Sequence, residues 1–231
     1  MPTNADNSFF KETKGGAPDV PYRGAVTMMQ MIVLGTVAVG ALAASGAYFA
    51  ATRSVETPAY SVVQADGDIE VRRYPEMTLA QVTREGTRRS SVQSGFSPLA
   101  RYIFAKDRVG EKIAMTAPVV QKPTGEKWAV SFILPSSIAA EDAPTPTGDV
   151  TLVTEPTRLM ATIRFSGVWS DTRFDEAANR LQQWIEDKGL SIQGPFEYGY
   201  YNDPFTPAFL RRNEVLVPVI DGSEDAGVER S

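Results

Sequence analysis

Lys112–Val120 reads KIAMTAPVV, an apolar run interrupted by Thr116 and by a proline near its end. Proline has no N–H to give a sheet ladder, so Pro118 belongs at a bend, an edge or a bulge. Read as a strand over 113–120, the run places Ile113, Met115, Ala117 and Val119 on one face. Ala114, Thr116, Pro118 and Val120 then share the other face. Both faces are largely apolar, as expected of a strand with core on one side and a helix or cleft near the other.

The pattern on either side of this run repeats. Upstream, Ile69–Tyr74 alternates as a half-buried strand, and Leu79–Thr83 follows the Pro75 turn. Val92, Phe96, Leu99 and Ile103 recur at helical spacing, with Ser90 or Ser91 as N-cap and Pro98 weakening the first turns. The 113–120 strand and a second over Trp128–Leu134 follow, separated by Pro123-Thr-Gly125. After a Pro/Ala/Thr-rich loop at 136–149 the order recurs, with strands at Val150–Thr154 and Leu159–Phe165. A helical stripe of Phe174, Ala178, Leu181 and Ile185 comes next, opened by Asp171 and closed by Gly189. Strands near Phe196–Tyr201 and Glu214–Val219 end the series. Two copies of strand-strand-helix-strand-strand predict an internally duplicated α+β domain over 55–220.

The 231 residues contain no cysteine and no histidine. These two zeros exclude disulfides, Cys/His zinc sites and nucleophilic machinery that depends on either residue. Net charge is −5, with −3 of it in the tail 221–231, leaving a nearly neutral body. A nucleic-acid binder carries a basic excess, so no nucleic-acid partner is expected. Residues 1–24 hold three bases and three acids and read as a flexible polar leader, while 221–231 read as a disordered acidic tail. Between Arg23 and Arg53 lie 29 uncharged residues, more than the roughly 20 needed to cross a bilayer. Residues 25–52 are therefore expected to be a transmembrane anchor; a cleavable signal peptide ending near Ala41-Leu-Ala43, with export of the remainder, is the alternative. The Lys/Arg excess upstream favours an N-terminus inside and the main domain on the outer face.

Motifs for catalysis are weak. Asp66-Gly-Asp68 reads as a hairpin turn and Glu186-Asp187 as a solvated helix end. No carboxylate pair stands out as an acid–base dyad, so the chain is not read as an enzyme. Tyr198, Tyr200, Tyr201, Phe205 and Phe209, followed by Arg211-Arg212, form an aromatic, proline-punctuated segment. It is either a binding loop or a loop packed on the core.

Glu56-Thr-Pro-Ala-Tyr60, Met115-Thr-Ala-Pro-Val119, Phe132-Ile-Leu-Pro135 and Arg212-Asn-Glu-Val215 resemble, in order and spacing, motifs of the SOUL/haem-binding protein family. The resemblance covers residues 55–220. It implies a twisted antiparallel, partly barrel-like sheet flanked by two helices, built from the duplicated unit. It also implies non-covalent binding of haem or another tetrapyrrole in an open hydrophobic cleft, walled by the first helix and by a loop before the last strand. With no histidine to bind iron, the macrocycle would lie on Phe96, Leu99, Ala100 and Ile103, with Arg101 or Lys106 on a propionate and Phe205 and Phe209 on the opposite wall. A basic residue of the family's C-terminal loop is replaced here around Pro207. Met115 reads as core filler ahead of iron ligand. The implied function is a membrane-anchored carrier or buffer. The alternative is a membrane-tethered sensor or scaffold domain holding another small apolar ligand or a partner protein, since the architecture also resembles effector-binding domains of bacterial regulators.

Overall fold

The computed structural model describes residues 55–221. The expected leader (1–24), the segment 25–52 and the tail beyond Asp221 lie outside them. Among the described residues no helix is long and apolar enough to cross a membrane.

The elements in chain order are β1 (Ser61–Asp66), β2 (Ile69–Tyr74), β3 (Met77–Arg84), α1 (Arg88–Ile103), β4 (Val119–Thr124) and β5 (Lys127–Ile133). They continue with β6 (Thr151–Glu155), β7 (Arg158–Phe165), α2 (Asp171–Asp187), β8 (Leu190–Ile192), β9 (Glu197–Tyr200) and β10 (Asn213–Asp221), with one 3₁₀ turn at Ala208–Leu210 before the last strand. All pairings between named strands are antiparallel, in the order β1-β2-β7-β10-β9-β4-β5-β3-β6, with β8 on β10.

The duplication is visible in that order. Exchanging β2 with β6, β3 with β7, β4 with β9 and β5 with β10 reverses the path from β2 to β6 and reproduces it. The pseudo-two-fold axis therefore runs between β4 and β9, at the middle of the sheet. Strands β1 and β8 lie outside the repeat and were not legible in the sequence. Every residue of β1 is exposed, so no period-2 signal marks it. No ladder joins β1 to β6, so the sheet is open and the barrel closure implied by the resemblance is not made.

Both helices lie on one face of the sheet. Helix α2 packs Phe174, Ala177, Leu181 and Ile185 on Val71, Ala161, Ile163, Val215 and Val217. Helix α1 packs Leu99, Tyr102 and Ile103 on Ala80, Val82, Val130 and Phe132. The buried stripe of α1 differs from the expected one. Ser91 and Gly95 are buried whereas Phe96 is 45% exposed, because α1 approaches β5 through its smallest residues. A Cβ on Gly95 would lie 2.9 Å from the Cβ of Val130. The caps also sit one to four residues earlier than expected: Thr87 caps α1 and Ser170 caps α2. Pro98 leaves the carbonyl of Ser94 without its helical donor, and the Arg84 guanidinium reaches it at 3.5 Å.

The KIAMTAPVV run is not a strand over 113–120. Only Val119 and Val120 join β4, and the segment before them runs irregularly through a cis Ala117–Pro118 bond. Its role is to gather the chain's recurrent motifs. The Thr116 hydroxyl donates to the carbonyl of Ile133, and Ala117 N–H donates to the carbonyl of Glu56 at 2.9 Å. The Glu56 carboxylate in turn accepts from Ser136 N–H at 2.8 Å. Three motifs distant in sequence thus meet in one corner, each meeting the others' backbone groups.

The opposite face of the sheet curls inward around paired charges. Glu214, fully buried, accepts from Arg72 at 3.0 and 3.2 Å, from the Tyr201 hydroxyl at 2.7 Å and from Arg212 at 2.7 Å. Arg158 donates to both oxygens of Glu197 at 2.6 and 3.0 Å, and Lys122 pairs with Glu155.

Helix α1 gives a direct check on packing. Alanine normally stabilises a helix interior by about 1 kcal/mol over glycine, but Gly95→Ala should destabilise the domain by about 1–3 kcal/mol through overpacking on Val130. Urea unfolding of the two proteins measures the sign.

Candidate functional site

The two helices straddle the middle of the sheet and leave a cleft of about 1030 Å³ between them. Its floor is Val119 of β4 and Tyr200 of β9, which pair directly across the pseudo-two-fold. One wall is Val92 and Phe96 of α1; another is Trp169 and Phe174 at the start of α2. The loop from Tyr201 to Arg211 and the segment Met115–Ala117 close the ends.

A polar frame holds these walls apart. Arg88 opens α1, where a cation faces the positive end of its own helix and is disfavoured. It is nevertheless buried, because Asp171 at the start of α2 accepts from it at 2.9 and 2.6 Å and Asp175 lies 3.6 Å away. Its guanidinium also lies over the rings of Phe174 and Tyr198, at 4.7 and 4.5 Å. The carbonyl of Arg88 accepts from the Gln121 amide at 2.8 Å, which also donates to Ser91 Oγ at 2.5 Å. Gln121 Oε1 then accepts from the Tyr200 hydroxyl at 2.9 Å.

Arg211 is held differently. It donates to the carbonyls of Thr206 and Pro204 at 2.8 and 2.6 Å and stacks 4.7 Å over Trp169. The indole N–H donates to Asn213 at 2.9 Å, which fixes the ring. Arg211 and Arg89 both line the cleft, and neither makes an ion pair among the described residues. The cleft therefore combines apolar walls with two arginines that make no ion pair among the described residues.

The phenols at the site stay protonated. Burial pushes the Tyr200 hydroxyl well above its usual range. Tyr201 is raised further by burial and by the neighbouring Glu214 carboxylate. Tyr198 is raised for the same first reason, burial, and Tyr74, behind the sheet, is pushed up to about 12.

The expected site residues divide. Phe96 lines the cleft. Leu99 and Ile103, at 0% and 1% exposure, belong to the core under α1 and cannot touch a ligand, which corrects the expected wall. The reason is the rotation of α1 set by Ser91 and Gly95. Ala100 is half-buried against the same core. Arg101 points into a separate, smaller cavity of about 490 Å³, paired with Asp107. Lys106 is exposed in the loop after α1 and lines neither cavity. Phe205 and Phe209 sit on the loop that forms a wall but project into solvent, 91% and 76% exposed. Sequence reading missed Arg89 and Trp169; Tyr200 and Arg211 belong to the aromatic segment read as a binding loop or a loop packed on the core, and both line the cleft. Arg211 stands four residues after Pro207 and supplies the basic group that loop was expected to lack. Met115 packs on the α1 core and also lines the cleft.

Residues 55–218 match the family described as SOUL heme-binding protein. The chain belongs to this family. Among solved structures, the C-terminal domain of EcmrR is similar with a TM-score of 0.54 and 16% identity, over 70% of this chain and 98% of that one. EcmrR bound to DNA gives 0.52 and 16%, over 82% of this chain and 69% of that one. A Listeria innocua hydrolase gives 0.48 and 16%, over 68% and 94%. At these identities the likeness is one of fold. Comparison with curated proteins gave no match.

Two outcomes test the frame. Gln121→Leu strands the buried Tyr200 hydroxyl, while the Arg88 carbonyl keeps the Ser91 hydroxyl as donor, and should cost about 1–3 kcal/mol, read by denaturant unfolding. The raised tyrosines set an alkaline limit. Each stays protonated in the fold while the unfolded chain ionises from its ordinary value near 10. Stability is therefore intact below pH 10 and falls as pH rises from there through about 12, the value for Tyr74, by up to about 1.4 kcal/mol per pH unit per tyrosine. Absorbance at the phenolate band and circular dichroism should change together.

Proposed function

We propose that the cleft between α1 and α2 holds a haem or another tetrapyrrole and that the protein is a membrane-anchored carrier or buffer for it. The observation that carries this is the combination of apolar walls with Arg89 and Arg211, which make no ion pair among the described residues, in a cleft of about 1030 Å³, at the upper end of small-molecule sites (about 300–1,000 Å³). Family membership supports the ligand class.

The residues fit the organic part of the ligand and not its iron. Val92, Phe96 and Trp169 offer apolar and aromatic surface to a flat ring, driven by burial. Arg89 and Arg211 would take the carboxylates, Arg211 with its fork already oriented by two carbonyls and an indole. The chain has no histidine or cysteine. The Tyr200 and Tyr201 hydroxyls are committed to Gln121 and Glu214 and held protonated. That leaves the Met115 thioether as a weak donor. The cleft's carboxylates, Asp171 and Asp203, are occupied by Arg88 and by N–H groups of the loop. This supports a binding role and not a catalytic one. The anchor would be residues 25–52, with the domain on the outer face.

Affinity should therefore follow the macrocycle. Titrating the 55–231 fragment with hemin should give a saturable Soret change at micromolar concentration. Metal-free protoporphyrin should bind within about threefold of hemin. Arg89→Glu and Arg211→Glu should each weaken binding by about ten- to a hundredfold, the worth of a charge-assisted hydrogen bond, and Phe96→Asp should do so too. Arg101→Glu should leave binding unchanged. Absence of saturation, or binding of hemin alone with protoporphyrin excluded, would sink this reading.

A further inference from the structure

The loop Asp203–Arg211 is rigidly braced and yet presents two phenyl rings to solvent. The Asp203 carboxylate accepts from the N–H groups of Phe205 and Thr206 at 2.7 and 3.0 Å. Arg211 grips the loop from behind through Thr206 and Pro204, and Gly167 N–H donates to the Ala208 carbonyl at 2.9 Å. That last bond ties the loop to the turn carrying Val168, which is 50% exposed and lines the cleft. The exposure of Phe205 and Phe209, 91% and 76%, is thus imposed by the backbone hydrogen bonds around them. It is not the slack of a loop with nothing to pack on. Phe96 and Phe104, both cleft-lining, are 45% and 40% exposed. The exposed apolar lining of the cleft, Phe96, Phe104 and Val168, is continued by the loop, whose Pro204 and Arg211 line the cleft and flank the two phenyl rings.

We propose that this rim is a membrane-contact surface: Phe205 and Phe209 insert into the interfacial layer of a lipid bilayer, so that the cleft opens toward lipid. The proposal rests on the reading of residues 25–52 as an anchor and deepens that of the cleft. Two observations select a bilayer as the occupant. First, the uncharged run ends at Thr52 and Val55 already lines the cleft. Three peptide steps span at most about 11 Å, so a chain leaving a bilayer at Thr52 holds the cleft close to its surface. Second, the rim has the make-up of an interfacial contact, with aromatic wedges on the outside and a Trp169–Arg211 pair just behind them. A second copy of the chain fits less well. A stable dimer buries about 800 Å² on each partner around a packed centre, whereas two rings standing almost wholly free of the surface make a wedge. The consequence is functional: a sparingly soluble ring dissolved in lipid would enter the cleft from the membrane side without crossing water.

The absence of cysteine makes the test direct. Phe205→Cys and Phe209→Cys in the full chain each give a unique site for an environment-sensitive nitrobenzoxadiazole label. Asp187→Cys, at the far end of α2 and about 25 Å from its cleft end, is the control. In vesicles of phosphatidylcholine with some phosphatidylglycerol, labels at 205 and 209 should emit to the blue of the control. Shallow doxyl-labelled lipid should quench them at least twofold more. Equal quenching at all three sites on protein that floats with the vesicles overturns the proposal, as does failure of the chain to float. A blue shift in detergent that grows with protein concentration also overturns it, in favour of a second copy. Hemin titration of the same variants separates the two ideas. Binding without quenching removes the membrane contact and keeps the cleft, and quenching without binding does the reverse.

Discussion

Arg88 sits where the two halves of the molecule meet. It begins α1, yet its charge is answered by Asp171 and Asp175 of α2, and its guanidinium lies between the rings of Phe174 and Tyr198. Its backbone carbonyl is held by Gln121 from the sheet below. One residue thus fixes the separation of the helices and their height above β4 and β9. A neutral residue there would leave the two aspartates crowded at the start of α2 and the rings without their cation. A cation without the aspartates would be buried unpaired, at a cost of several kcal/mol. The cleft exists because this contact spaces the helices instead of letting them close on each other.

The pseudo-two-fold explains why the cleft falls where it does. In a duplicated unit of this order the helices flank the axis, and the strands under the axis, β4 and β9, carry no helix directly above them. Their outward residues, Val119, Gln121, Tyr198 and Tyr200, must be covered by something else. Here Gln121 and Tyr200 satisfy each other, and Val119 and Tyr200 remain as floor. The other face of the same strands is filled already. Around Glu214 and Glu197 the curled sheet encloses mutually paired charges beside a small apolar cluster of Tyr74, Met160 and Leu216. The large cleft lies on the helix side.

Much of this was legible in the sequence. The order of strands and helices, the duplication and the second helical stripe follow from periodicity, because the apolar residues of α2 and of the central strands meet the core with little interference. Where reading failed, a tertiary contact had overridden the local pattern. Gly95 and Ser91 look like poor core residues but are buried, since α1 needs their small size to approach Val130. Phe96 was taken with Leu99 and Ile103 as one face, when the helix turns it outward to the cleft. KIAMTAPVV has strand composition, but its hydrogen bonds go to Glu56 and Ile133 and not to a ladder. Arg211 is legible as a cation beside a proline-punctuated aromatic loop, but nothing local distinguishes it from Arg212, whose partner is Glu214.

That difference between adjacent arginines bears on how the site works. Arg212 is spent on a buried carboxylate and serves the fold. Arg211, one residue earlier and on the other side of the strand's entry, meets two carbonyls and an indole face and makes no ion pair among the described residues. Those partners orient a guanidinium without neutralising it, so its charge stays available to an arriving anion. Arg88 and Arg89 repeat the division at the start of α1: the first is paired with Asp171 and the second is not. Among the described residues the cleft thus presents Arg88 paired with Asp171, and Arg89 and Arg211 without an ion pair, while Arg212 faces away from it. A ligand with a flat apolar body and two carboxylates matches that arrangement on both sides of the pseudo-two-fold. A ligand with a single acidic group would leave one of the two cations unanswered.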